Sequence, residues 1–205
     1  MWKSTRKATM MLIMALFFVF LPLSANAYTV YLSSFQSGNG STGEILGTAS
    51  GNPTFFLCME HDVNVQVPGT YYARDLTLSG QLQLKAAWLM DQYAPSLRGS
   101  YNGNSLLATG VGVQSAVWSV LTGTLYGDST VQTIANAMLT ALPATINEST
   151  ASYLQSHYAY VDLYTNANLT GPVQDLIRPV PIPAAAWLLG SGLFGLVVIR
   201  RRFRK

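Results

Sequence analysis

Two uncharged apolar runs, each bordered by basic residues, decide how much of this chain can fold as a globular unit. The first covers residues 10–23 (MMLIMALFFVFLPL), preceded by Lys3, Arg6 and Lys7 and followed by Ser24-Ala25-Asn26-Ala27. A positive start, an apolar core and small residues at Ala25 and Ala27 make a secretory signal peptide, cut after Ala27. The run is shorter than the ~20 residues that a membrane helix needs. The second run is longer: residues 179–199 carry no charge, and Arg200, Arg201, Arg202, Arg204 and Lys205 stop it. As a helix it can span a bilayer, with the basic tail kept on the cytoplasmic side and Trp187 at the outer interface. The chain divides into a signal peptide (1–27), an extracellular domain (28–177) and a C-terminal segment (178–205).

This division changes the meaning of the charge. The whole chain has a formal charge of +3, but eight of its twelve basic residues lie in the two end clusters. All nine acids fall in the middle, beside only Arg74, Lys85, Arg98 and Arg178, so the domain is acidic. It has no positive stripe for phosphates, which excludes nucleic acid as a partner. One Cys excludes an internal disulfide and a cysteine-based zinc site.

The C-terminal segment reads Val180-Pro181-Ile182-Pro183-Ala184, then an apolar run, then the arginines. It resembles the PEP-CTERM sorting signal, in its VPxPA variant, with Ile182 where the family's Glu usually stands. The resemblance implies processing near the proline motif by an exosortase, a membrane thiol protease. It also implies a Gram-negative host that makes exopolysaccharide. Two prolines ahead of a helix impose extended, unpaired backbone, which a protease can bind as a strand.

In the middle domain the first half reads as strands. Residues 28–35 (YTVYLSSF) and 54–59 (TFFLCM) are two; Val63, Val65 and Val67 alternate with polar residues up to Pro68-Gly69 and suggest a third. Residues 37–43 (SGNGSTG) are a loop. Helical spacing follows. Leu82, Ala86, Leu89, Met90 and Tyr93 recur within 80–94; Val113, Ala116, Val117, Val120 and Leu121 form a second set. Val131, Ile134, Ala135, Met138, Leu139 and Leu142 form a third, with Ser129 and Gln132 as a capping box and Pro143 as a stop. Residues 158–165 (YAYVDLYT) alternate as a late strand. The expected fold is α+β: a β-barrel or sandwich with helices packed on one side.

Few motifs for chemistry survive inspection. GxGxxG occurs at 38–43 with no helix after it, and again at 190–195 inside the apolar run, so neither is a nucleotide fingerprint. His61 and His157 are too far apart in sequence to argue a metal site, and no cofactor is implied. Glu60, Asp62 and Asp91 offer carboxylates, but nothing fixes a pair at catalytic separation. Asp128 reads as a loop or cap residue and Asp162 as a solvated strand residue. The chain is read as a non-enzyme.

The lone cysteine stands out, because exported proteins seldom keep a free thiol without a use or a burial reason. Cys58 follows Leu57 in Phe55-Phe56-Leu57-Cys58-Met59, and Gln114-Ser115-Ala116-Val117-Trp118 lies downstream. The order, hydrophobic-Cys then Gln-x-Ala-hydrophobic-Trp, resembles the thioester domains of bacterial surface adhesins. The intervening segment 86–93 (AAWLMDQY) is similar to PEP-CTERM proteins that carry such domains. In the adhesins a Thr usually precedes the Gln; here it is Val113. The resemblance implies an internal thioester between Cys58 and Gln114, with Leu57, Ala116 and Trp118 around it, opened by an amine on a target surface. The blander alternative is that Cys58 is a small buried hydrophobe and residues 113–121 an ordinary core helix. His61 is three residues from Cys58, and strand alternation would point the two apart.

The sequence therefore describes an exported surface or matrix protein, handled by signal peptidase and exosortase. It either adheres covalently to amine-bearing targets or serves as an inert component of a biofilm or exopolysaccharide matrix. Its route passes through an inner-membrane intermediate with the domain outside.

Overall fold

The computed structural model describes residues 27–35 and 42–180. The signal core, the segment 181–205 with Pro181, Ile182, Pro183, Ala184 and the basic tail, and Ala25 lie outside the described residues, so the expected membrane span is not among them. Among the described residues no helix is long and apolar enough to cross a membrane.

Among the described residues, six strands close into an antiparallel barrel: β1 (Tyr28–Phe35), β2 (Ile45–Ala49), β3 (Asn52–Cys58), β4 (Gly69–Leu76), β5 (Tyr158–Tyr164) and β6 (Leu176–Pro179). Their order around the barrel is β1-β2-β3-β6-β5-β4, with β4 pairing back onto β1. Between β4 and β5 the chain inserts α1 (Gln81–Tyr93), α2 (Pro95–Arg98), α3 (Leu106–Thr122), α4 (Ser129–Ala141) and α5 (Glu148–His157). The described residues adopt the expected α+β class, and of the two sheet arrangements expected, barrel or sandwich, they form the barrel.

Two apolar clusters follow from strand alternation. Val30, Leu32, Ile45, Phe56, Cys58, Ala73, Val161, Leu163 and Leu176 point into the barrel. Phe55, Leu57, Met59, Tyr158 and Ile177 point outward from β3, β5 and β6, and the helices cover them with Leu89, Met90, Val113, Ala116, Ile134 and Met138. Residues 55–58 are thus buried on both faces, which is why the strand reads as an unbroken apolar run. Gly112 lets α3 meet α4 closely: a Cβ there would lie 2.5 Å from Ile134 Cγ2.

Several expectations are corrected. Residues 63–67 form an irregular loop, not a strand; the strand begins at Gly69. Alternation at three valines was insufficient, because no neighbouring strand offers them a ladder. The cap of α4 is Asp128, whose Oδ1 accepts from Val131 N, while Gln132 donates to Gly127 O, so Ser129 and Gln132 form no capping box. Asp162 is not merely solvated: it is 2.6 Å from Arg74, its register partner on β4. β6 carries Arg178 and Pro179, two residues beyond the domain's expected end, into the barrel wall. Arg178 is buried and pairs with Asp75 at 2.6 Å, tying the last strand to β4.

Candidate functional site

β3 ends at Cys58, and the peptide edge there explains the site. Met59 N donates to Asp175 O on the β6 side. By alternation, the N–H and C=O of Cys58 face the opposite edge, where β2 should lie. The pairing of β2 with β3 goes no further than Ile45 with Phe56. Cys58 therefore presents a backbone donor and acceptor with no strand to meet them, a costly arrangement in a buried place.

Gln114 of α3 fills the gap. It is fully buried. Cys58 N donates to Gln114 Oε1 at 2.9 Å, and Gln114 Nε2 donates to Cys58 O at 2.7 Å. The carboxamide is held as a miniature strand across from the Cα that bears the thiol. Two hydrogen bonds to one residue fix both its position and its plane. The carboxamide and the residue that bears the thiol, 56 apart in sequence, are thereby held together.

The thiol itself lies among apolar side chains. The Cys58 thiol points into the barrel cluster, and burial pushes its pKa up to about 12 against a partly opposing hydrogen bond from the Gln174 side chain. Gln174 is itself buried and donates from Nε2 to Glu60 O at 2.6 Å. Trp118, one turn after Gln114, packs in the same cluster as Cys58. Its indole N–H is buried without a hydrogen-bond partner among the described residues.

Cys58 opens onto a cleft of about 200 Å³, lined by Phe35, His61, Val63, Asn64, Val65, Trp118 and Gln174. His61 stacks on Tyr126, with ring centroids 3.4 Å apart, and meets Trp118 edge-on at 4.8 Å. Its Nδ1 lies 2.6 Å from Asp62 Oδ1. The alternation that would separate His61 from Cys58 does not apply, since β3 stops at Cys58 and His61 belongs to the loop beyond it.

The sequence-derived residues separate into two groups. Cys58, Gln114 and Trp118 converge. Leu57 and Ala116 do not face the cleft; both are buried in the cluster beneath the helices, and their part is to seat β3 against α3. His61, Tyr126 and Gln174 complete the site and carried no sequence signal beyond their chemistry. Of the carboxylates, Asp91 is consumed by structure, accepting from Tyr158, Tyr153, Gln92 and Arg98. Glu60 accepts from Asp175 N. No group of three metal-ligating side chains occurs among the described residues. Ala27 is exposed ahead of β1, and Val180 donates from its N to His157 O at 2.7 Å, just before the described residues end.

No protein-family model matches the chain, and none of the curated proteins does. Among solved structures it is similar to the N-terminal domain of the Streptococcus pyogenes pilus tip adhesin Cpa, with a TM-score of 0.48 and 14% identity over 79% of this chain and 97% of that one. It is also similar to the N-terminal thioester domain of fibronectin-binding protein SfbI from Streptococcus pyogenes, with a TM-score of 0.47 and 13% identity over 79% of this chain and 97% of that one.

Proposed function

We propose that this is an exported surface or matrix protein whose Cys58 and Gln114 join in an internal thioester that captures amine-bearing targets. The observation that carries the reading is the clamp on the Gln114 carboxamide between the N–H and C=O of Cys58. A primary amide resists attack unless it is held in place, and such holding supplies a high effective molarity. Sγ attacks Gln114 Cδ, and the Cys58 N–H stabilises the negative charge that develops on Oε1. The C–N bond breaks, and the nitrogen leaves as ammonia with the thiol's proton. Burial then shields the bond from water. An amine later attacks Cδ, the C–S bond breaks, and the target is left on Gln114 as a substituted amide.

Export, tethering and exosortase handling rest on the two terminal segments of the sequence, which give the acidic domain its outward orientation. The rival is an inert matrix component in which Gln114 merely completes the edge of β3. The thiol's high pKa favours that rival, because a protonated thiol is a poor nucleophile.

Intact mass of the purified protein separates the two. A thioester leaves the protein one ammonia lighter than its sequence, a deficit abolished by Cys58→Ala or Gln114→Ala and replaced by one methylamine adduct on Gln114 after treatment. A protein of full mass, with Cys58 recovered as a free thiol after unfolding, sinks the proposal.

A further inference from the structure

We infer that His61 is the proton-transfer residue for opening the bond, accepting a proton from the attacking amine and delivering it to Cys58 Sγ; this rests on the thioester reading above. Among the described residues that line the cleft onto which Cys58 opens, His61 is the side chain that can accept a proton at one nitrogen and pass it on. Three contacts prepare it. Tyr126 stacks against one face, and Trp118 meets the ring edge-on. Nδ1 lies 2.6 Å from Asp62 Oδ1, and in the neutral tautomer whose Nδ1–H donates to that carboxylate, Nε2 holds the lone pair. The side chain is 30% exposed, so it meets a solvent-borne nucleophile in the cleft that Cys58 also lines.

The chemistry requires such a group. The amine nitrogen attacks Gln114 Cδ with its lone pair, and the C–S bond breaks with its electrons going to Sγ. The nitrogen then carries one proton too many, and the sulfur one too few. Burial disfavours a bare thiolate at this position, as the raised thiol pKa indicates. Passage of the proton from nitrogen to Nε2 and on to Sγ leaves a neutral amide, a neutral thiol and His61 unchanged. The same requirement protects the resting bond, because a nucleophile that does not reach Nε2 must expel an unfavourable thiolate.

The test is the rate of methylamine capture, followed by intact mass, in the wild-type protein, His61→Ala and His61→Gln. Each variant is first checked for the ammonia deficit and for folding by circular dichroism. Both variants should carry the bond and capture methylamine about a hundredfold more slowly, the scale of general acid–base catalysis. Added imidazole should restore the rate in His61→Ala, whose vacated cleft admits it, and leave His61→Gln slow. Unchanged capture rates in bond-bearing variants overturn the assignment. So does slow capture in His61→Ala that imidazole does not restore, which reduces His61 to packing. Variants that fold without forming the bond also overturn it, moving His61 to bond formation. If the wild-type protein itself has full mass, it is the thioester that fails, a result distinct from all of these.

Discussion

Gln114→Met removes both polar ends of a side chain that the rim of the barrel depends on, while keeping its length. The variant leaves Cys58 N–H and Cys58 C=O with no partner in a buried site. Each orphaned group costs about 1–3 kcal/mol, so the pair costs about 4 kcal/mol. Cys58→Ala is the matched control. It prevents the thioester equally, but keeps the backbone groups and the intact carboxamide, and loses one small buried group worth about 1 kcal/mol. Comparison of the two variants cancels any effect of the covalent cross-link. The difference, about 3 kcal/mol, corresponds to roughly 6–12 °C in Tm for a domain of this size. Thermal unfolding by circular dichroism, with urea titrations to check that m-values agree, measures it. Equal stability of the two variants would refute the claim that Gln114 serves as the missing partner of β3.

Three other outcomes follow from particular contacts. Glu44 is buried, accepting from Ser96 N and Oγ, and burial raises its pKa. A carboxyl whose pKa is raised on folding contributes stability below its unfolded pKa, and that contribution is lost as pH rises through the folded value. Glu44→Gln should therefore raise Tm at pH 7 and flatten the profile on the acidic side; a lower Tm at pH 7 would contradict this. Gly112→Ala drives a methyl group into Ile134 and should cost about 1–3 kcal/mol in urea unfolding; a neutral result would mean that α3 and α4 are not so closely packed. Truncation after Val180 should release a folded protein into the medium, whereas truncation after Ile177 removes Arg178 and should yield an unstable one. Release of equally stable protein by both truncations would show that Arg178 does not hold β6.

Legibility of the fold followed the strength of local pattern. β1, α1, the second half of α3, α4 and β5 are readable because their apolar residues repeat at one clear period over seven or more positions. β2 is five residues with a central glycine, and β4 carries Arg74 and Asp75; both are strands because the barrel pairs them. α5 buries little beyond Leu154, so it shows almost no stripe. The second half of β6, Arg178 and Pro179, reads as the start of the tail, since nothing local says that Arg178 finds Asp75 103 residues away. In the site, Cys58 and Gln114 could be paired through resemblance. His61 was set aside on a strand argument that fails one residue past the end of β3. Gln174 reaches the thiol only through the closing strand's approach, information that no local window holds.

The fit between Gln114 and the Cys58 backbone has a stereochemical consequence. The hydrogen that Nε2 offers to Cys58 O is the one on the same side of the amide as Oε1, since both atoms meet one residue's edge. A primary amide always has that hydrogen. In a substituted amide the trans form puts the captured group there instead, and the cis form costs about 2.5 kcal/mol. On the proposed chemistry, the captured product is disfavoured by that amount in the seat from which the bond was made. On that chemistry, the contact that holds the amide against Cys58 would also act as a ratchet, favouring Gln114 before capture over its substituted form afterwards.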